Sequence, residues 1–577
     1  MIMKKVLLMM TGLVMAGTAW ADWSDQMGNP TPIFPAGTGS YAIEVAVGDD
    51  GDIWAVNYHP NLKDADDEYD IEHVVYEYRL QHFDKNGNPL FPEDGILISD
   101  YANKSYTVVS NYIHVDSEGN CIVAVSDQRN ASDIECSVTA YKVSPTGEQL
   151  WGEDGVAVSD ALHPADFVAC MRLVEMDDHS IVFAWQESDR EGASNVCLQR
   201  ISKDGKAQWG ASKIWNEGQT CTYPYLVPSE DNTCILVYAR TESAILYAVK
   251  LDFECESVWG KEVRVYRGGW GSVPLWTQLE VKSSGDGGAL IAWSDDRAGT
   301  NIESPYISYV TSDGELGFEG ISDESDCKLY YGEDGVRSLG VTAAPASDGS
   351  GFVAMWRLVG GGNQSYQGIM AQKVSKSGEL LWGDEAVTIF PIDVASYGYM
   401  SCQPTTDGGM MGFYEQYFAW NDQQCLAVRL DKDGDFVWKD GSMALSKEGR
   451  QATSLESRLL PASGAYLIDW TDEETVGTDD DAKKVITYVM DRFNEDGTFG
   501  DSSTAVTSVE SDSADLVFDG AMLLSSLADG TQVNVFDATG ARVAGYTLAA
   551  GRAEVNLPAG LYMASVPGKA SVKFIVK

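Results

Sequence analysis

The residues best suited to chemistry in this chain are arginines that recur at one place in a repeating pattern. Arg129, Arg190, Arg240, Arg297 and Arg357 close the segments SDQR, ESDR, YAR, SDDR and WR. A guanidinium presents a planar fork of donors that matches a carboxylate or sulfate, so a rim of such groups could hold an acidic glycan or another anion. Asp127, Asp189 and Asp295 stand just before three of them. Local ion pairs that lace the scaffold are therefore the competing role, and repetition suits scaffold better than a unique site.

A second set is aromatic and differs from repeat to repeat. It comprises Tyr101 and Tyr106, His163 and Phe167, Tyr223 and Tyr225, Trp270 and Trp276, and Tyr397 and Tyr399. Such rings stack on sugars, contact proteins, or plug gaps between packed sheets. The loop GGWGSVPLW, which carries Trp270 and Trp276, is the best single ligand-binding candidate. For metals, Asp431, Asp433 and Asp435 alternate in DKDGDF, and Asp64, Asp66, Asp67 and Asp70 cluster in an early insertion. Carboxylates so spaced can gather around Ca²⁺. DKDGDF lacks the later bidentate acid of an EF-hand and coincides with a hairpin turn, so no cofactor is required and Ca²⁺ is the only cation with a candidate place. No HExxH or GxSxG occurs, which argues against a zinc protease and a nucleophile-elbow hydrolase.

What positions these residues is a repeat. The stretch YKVSPTGEQLWGEDGVAVSD, residues 141–160, has weaker copies that align on Phe91, Trp151, Trp209, Trp259, Tyr331, Trp382, Trp438 and Phe499. The period is about 60 residues, and each unit divides into four short strands with turn signals between them. The spacing predicts an all-β fold, an eight-bladed β-propeller over residues 22–500. Trp23 to Phe34, WSDQMGNPTPIF, reads as an outer strand with no blade of its own and is expected to complete the last blade.

The copies PTGEQLW, KDGKAQW, KSGELLW and KDGDFVW keep Gly four residues before Trp, at Gly147/Trp151, Gly205/Trp209, Gly378/Trp382 and Gly434/Trp438. This resembles the docking motif of quinoprotein-like eight-bladed propellers, and the resemblance implies a Trp buried against the neighbouring blade. A quinoprotein dehydrogenase would be expected to carry a vicinal cysteine pair, which this chain lacks. Ser202, Asp204 and Trp209 resemble the sialidase Asp-box, with Gly205 one residue too early; that box is structural and implies nothing about catalysis.

Residues 501–515 are rich in Ser, Thr and Asp and read as a linker. Beyond it, VNVFDATGARV, NLPAGLYMASV and the terminal VKFIVK resemble the type A C-terminal sorting domain of the type 9 secretion system of Bacteroidota. For residues 516–577 this implies a small immunoglobulin-like β-sandwich, type 9 secretion machinery as a partner, and delivery to the outer-membrane surface or secretion. At the other end, Lys4 and Lys5, an apolar run and Ala19-Trp20-Ala21 mark residues 1–21 as a signal peptide. The run is shorter than the roughly 20 residues of a membrane span, so no transmembrane segment is expected in the mature chain.

Eighty-seven acids against 40 bases give a net charge of −47, which repels nucleic acid and anionic lipid. Ten cysteines include no CxxC; Cys136, Cys197 and Cys425 each open a third strand, the place of a small buried apolar residue. The sequence thus favours a surface-destined binding or adhesion protein for glycan or protein ligands, with no catalytic residues assigned. The alternative is a glycan-active enzyme, a hydrolase or a lyase, working in a central pocket. An enzyme should gather non-repeated carboxylates, or a tyrosine and an acid, near the ring axis, whereas a binder needs only an aromatic or polar rim.

Overall fold

The computed structural model describes residues 23–36, 41–61, 63, 74–101, 110–129, 135–159, 165, 167–189, 191–240, 245–265, 279–297, 303–318, 327–330, 335–360, 365–419, 422–461, 464–477, 482–500, 516–518, 522–525, 529–537, 542–557, 560–566 and 572–576. It divides into two compact units, residues 1–500 and 501–577. Among the described residues all regular elements are β-strands, and no helix is long and apolar enough to cross a membrane.

The strands of the first unit group by four, antiparallel and, in the first seven groups, in chain order from first to last. The first strands are Tyr41–Val47, Asn111–Val115, Phe167–Glu175, Cys221–Ser229, Glu280–Ser283, Arg337–Pro345, Ser396–Pro404 and Gln451–Leu460. The last two groups are joined by a single parallel bridge between Gln423 and Gln451. Consecutive first strands lie against one another.

Second strands begin with a buried, largely apolar run because both their faces are covered there. In Cys121–Asp127, Cys121, Val123 and Val125 face Trp54 and Val56 of the first sheet, whereas Ile122 and Ala124 face Phe183 and Trp185 of the third. This is the two-residue alternation of a strand used on both sides. Such clusters join each sheet to the next, and one of them takes in Leu460, Leu467 and Met490 together with Ile33, Phe34, Val45 and Ile53. The eighth sheet therefore packs on the first, and the arrangement is propeller-like. Thr31–Pro32 gives the eighth sheet its fourth strand, with Thr31 opposite Met490 and Pro32 opposite Val489.

The Gly and Trp of the repeat act between neighbours. Trp151, Trp259 and Trp382 donate their indole N–H to the carbonyl oxygens of Lys203, Ser312 and Lys432 in the next sheet's turn, at 2.9, 3.0 and 3.0 Å. Their rings lie over the glycine of that turn: a Cβ on Gly205, Gly314 or Gly434 would come within 2.8, 2.5 or 3.0 Å of the indole. The glycine is needed twice over, for its positive φ and for the closeness of the ring above it.

The ten cysteines are unpaired, and all but Cys170 are buried; Cys136, Cys197 and Cys425 sit in the apolar clusters between sheets. In the second unit a three-stranded sheet, Leu516–Phe518, Met522–Ser525 and Arg552–Glu554, accompanies a four-stranded one built from Gln532–Asp537, Arg542–Thr547, Gly560–Ser565 and Val572–Val576. Leu523 and Ala553 of the former share one core with Val533, Val535, Tyr562 and Ala564 of the latter.

Candidate active site on the first strands

Five first strands place a charged residue or a tyrosine, of three kinds in all, at one register position. Glu44, Tyr112, Arg172, Tyr225 and Glu280 pair with Val56, Ala124, Ala184, Val237 and Ala292 of their respective second strands. A β-bulge immediately precedes Glu44, Arg172 and Tyr225. In two of these bulges Cys170 and Tyr223 take positive φ, 53° each. A third such bulge, with Ser454 at φ 58°, precedes Glu456 on the eighth sheet. An extra residue in a strand bends it and re-aims the side chains that follow, and non-glycine residues held at positive φ mark places where the backbone accepts strain.

These side chains meet. The Arg172 guanidinium lies over the Tyr112 ring at 5.2 Å and over the Tyr225 ring at 4.8 Å, and the Tyr225 hydroxyl donates to the Leu279 carbonyl oxygen at 2.9 Å. Arg172 also donates to its neighbour's carbonyl, Met171 O, at 2.7 Å. On the eighth sheet Arg458 is ion-paired with Asp469. On the fifth, Lys282 pairs with Glu280 at 2.8 Å and reaches the Cys402 carbonyl oxygen of the seventh sheet at 3.3 Å. The other oxygen of Glu280 accepts from Ala343 N at 2.7 Å.

The electrostatics tie the sheets together. Burial raises the Glu44 carboxyl to about 7, against the pull of Arg458 and Arg172. Burial likewise raises Glu456, which feels Glu280 and Lys282 as well as Arg458 and Asp469. Groups from the first, third, fifth and eighth sheets act on one another, which places them around one space bordered by the first strands, the cleft. Glu456 is exposed to solvent yet crowded enough by protein to be desolvated, as expected of a concave wall. Burial raises the Asp469 carboxyl despite Arg458, and it raises the Tyr112 and Tyr225 hydroxyls. For Arg172, burial alone would lower the guanidinium, but Tyr112, Tyr225, Cys170 and Glu44 outweigh it and its pKa is raised. The cleft therefore combines a carboxyl that titrates near neutrality with a permanently charged guanidinium. That pairing can give or take a proton beside a held anion.

Of the sequence candidates, Tyr225 belongs to this cleft. Tyr223 lies in the bulge beside it, its backbone N–H donating to Gln186 Oε1 at 3.1 Å. Tyr397 is buried and packs between Phe390 and Tyr414, whereas Tyr399 is exposed. Arg129 pairs with Asp127 at 2.8 Å, donates to the Tyr141 hydroxyl and lies over the Tyr101 ring. Arg297 pairs with Asp295 and lies over the Tyr306 ring, and Arg240 pairs with Glu262 over the Tyr247 ring. Arg357 sits inside the strand Gly351–Gly360, not at its end, and donates to the Tyr397 carbonyl. Arg190, Trp270 and Trp276 lie outside the described residues, as do Tyr106, His163, Asp64, Asp66, Asp67 and Asp70. In DKDGDF, Asp431 Oδ1 accepts from the backbone N–H groups of Asp433 and Asp435, at 2.9 and 3.0 Å. Those are the bonds of a turn. Among the described residues no group of three or more His, Cys, Asp or Glu side chains is placed to hold a metal.

Glu44, Tyr112, Arg172, Glu280, Lys282, Glu456, Arg458 and Asp469 were not singled out from sequence. Except for Asp469, which lies on a second strand, their signal was a charge or a tyrosine where the first strand of a repeat should carry an aliphatic residue, as in AIEVAV, CMRLVE and SLESRLL.

No protein-family model matches the chain, and no curated protein matches it in sequence. Its backbone is similar to that of a puromycin hydrolase, at 12% identity and TM-score 0.39, over 78% of this chain and 61% of that one. The chain thus spans less than two thirds of that enzyme. It is also similar to a polysaccharide lyase, Uly1, at 11% identity and TM-score 0.37, over 70% and 92% of the two chains. A eukaryotic initiation factor is similar at 8% identity and TM-score 0.36, over 81% and 91%. At these scores the likenesses bear on neither ligand nor activity.

Proposed function

We propose that the first unit is an eight-bladed β-propeller that acts on a glycan, with the cleft on its first strands as the active site and Glu44 as the acid–base group. The observation that carries this reading is the set of unlike side chains at one register position. Scaffold contacts in this protein repeat from sheet to sheet, as the indole-over-glycine contacts do. A position that backbone geometry makes equivalent, yet that carries Glu, Tyr, Arg, Tyr and Glu in turn, is what a single site built from several repeats requires. A carboxyl with a pKa near the working pH is suited to protonate a leaving oxygen or to accept a proton. Arg458 and Arg172 supply positive charge beside it.

Binding or adhesion without turnover is the second reading. What favours it is the exposure of Val394, Tyr399, Tyr417 and Phe418 on the sixth and seventh sheets, apolar surface able to stack on sugars or meet a protein. We also propose that the second unit is an immunoglobulin-like type 9 sorting domain that takes the chain to the outer-membrane surface after removal of residues 1–21. The motifs VNVFDATGARV and NLPAGLYMASV support it. The test of function is a glycan and host-protein array probed with the full chain, each hit then assayed for turnover. Turnover of a bound glycan supports the enzyme; tight binding with no turnover leaves the adhesion reading.

A further inference from the structure

We propose that the cleft takes a carboxylated sugar, a polyuronate, and that Arg172 between Tyr112 and Tyr225 receives the carboxylate. This rests on the glycan reading above and names its substrate class.

The argument starts from what other arginines do here. Arg129, Arg240, Arg297, Arg337, Arg450 and Arg458 are each paired with a carboxylate. Arg172 differs from these: among the described residues its contacts are a carbonyl oxygen, two phenol rings and the Tyr225 hydroxyl, all neutral. In a chain with 87 acids, a half-buried guanidinium without an acid partner is uncommon, a state Arg172 shares with Arg357, because desolvating a charge is costly unless it is paired. The two rings recover part of that cost through cation–π attraction. A guanidinium carries five N–H donors, and one of these goes to Met171 O, so others remain for a ligand beside the rings. An edge-on fork is the geometry that matches the two oxygens of a carboxylate. Tyrosine faces are likewise suited to flank a sugar ring.

Two local features aim the group at a ligand. The bulge before Arg172, with Cys170 at φ 53°, re-aims its side chain relative to the strand. Its neighbour at the equivalent position on the first sheet, Glu44, is near enough to be felt electrostatically but is not ion-paired with it. A bound uronate would therefore sit with its carboxylate on Arg172 and its ring oxygens toward a group able to exchange a proton. A sulfate ester offers the same oxyanion chemistry, and the two sources are separable by experiment.

The test measures binding of the full chain to polyglucuronate, polygalacturonate and alginate, to the same polymers after carboxyl reduction, and to a sulfated neutral galactan. The expected result is binding to at least one polyuronate, with a loss of about tenfold or more on carboxyl reduction. Arg172→Gln should cause a loss of similar size, Arg172→Lys a smaller one, and Arg129→Gln none. Arg172→Lys keeps the charge and covers the case in which Arg172→Gln fails to fold. Reduced polymers bound as well as their parents, or Arg172→Gln without effect while glycans are still turned over, would overturn the inference and leave the glycan reading standing. Sulfated galactan bound through Arg172, with every polyuronate ignored, would overturn the carboxylate in favour of sulfate. If no glycan of any kind is bound or cleaved, the glycan reading itself falls and this inference with it.

Discussion

The indole nitrogen of Trp23 donates to the carbonyl oxygen of Lys85 at 2.9 Å, and its ring lies over Gly87, where a Cβ would come within 3.1 Å. The contact has the form that Trp151, Trp259 and Trp382 make with the turns that follow them, but here the chain's beginning supplies the tryptophan for the turn of the first sheet. Trp23 precedes the strand that completes the eighth sheet, so one segment supplies both the strand and the docking ring between the eighth sheet and the first.

Trp23→Ala should therefore destabilise the first unit by about 3 kcal/mol, the usual cost of emptying a buried indole site. Trp23→Phe keeps most of the ring and loses the N–H, for a cost of about 1 kcal/mol. Denaturant midpoints measure both. A midpoint unchanged by Trp23→Ala contradicts this role for the segment.

The glycine beneath each indole gives a second expectation. Gly314 and Gly152 both have positive φ, 81° and 88°, but a Cβ on Gly314 would meet Trp259 at 2.5 Å whereas one on Gly152 meets nothing within 4 Å. Both alanine variants pay the backbone strain of about 1 kcal/mol; Gly314→Ala should lose about 1–3 kcal/mol more from overpacking. Equal effects in thermal melts would show that the ring does not press on the turn.

Much of this scaffold was legible in the sequence. Cys136, Cys197 and Cys425 were expected as small buried residues, and they sit in the apolar clusters between sheets. The reason is physical: a second strand covered on both faces must be an apolar run, and a tight turn under an indole must be glycine. The cleft was not legible. Bulges before Glu44, Arg172, Tyr225 and Glu456 break the two-residue alternation from which facing is read, and no spacing rule says which first strands face each other. Segments such as SDDR drew attention because they repeat, and their arginines prove to be held by the acids beside them.

Asp491 sets a pH dependence. It is buried, accepts one bond from its neighbour Arg492 N at 2.8 Å, and burial raises its carboxyl from 3.8 to about 8. The folded state then holds a proton that the unfolded state releases, so between about pH 4 and pH 8 stability falls as pH rises. Asp491→Asn should be close to neutral at pH 4 and stabilising at pH 8, by an amount on the order of a few kcal/mol. Glu44 works in the same direction between about 4.5 and 7. Denaturation midpoints at the two pH values check it; a variant equally stable relative to the parent at both would refute the buried protonated acid.

Export provides an independent check. Deletion of residues 501–577 should leave the first unit folded but retained inside the outer membrane, read by loss of surface labelling on intact cells. Continued surface display would remove the basis for a sorting domain.

The most direct test of the central claim is the pH profile of glycan turnover by the full chain and by Glu44→Gln, on whichever glycan the array yields. The account predicts a limb in kcat/KM near pH 7 for the parent, and for the variant a loss of about 10²-fold or more with that limb gone, while binding is kept and the melting temperature is unchanged at acid pH and not lowered at neutral pH. Turnover by Glu44→Gln at the parent's rate with the same limb would contradict the assignment, and absence of turnover on every bound glycan would contradict the enzyme reading as a whole.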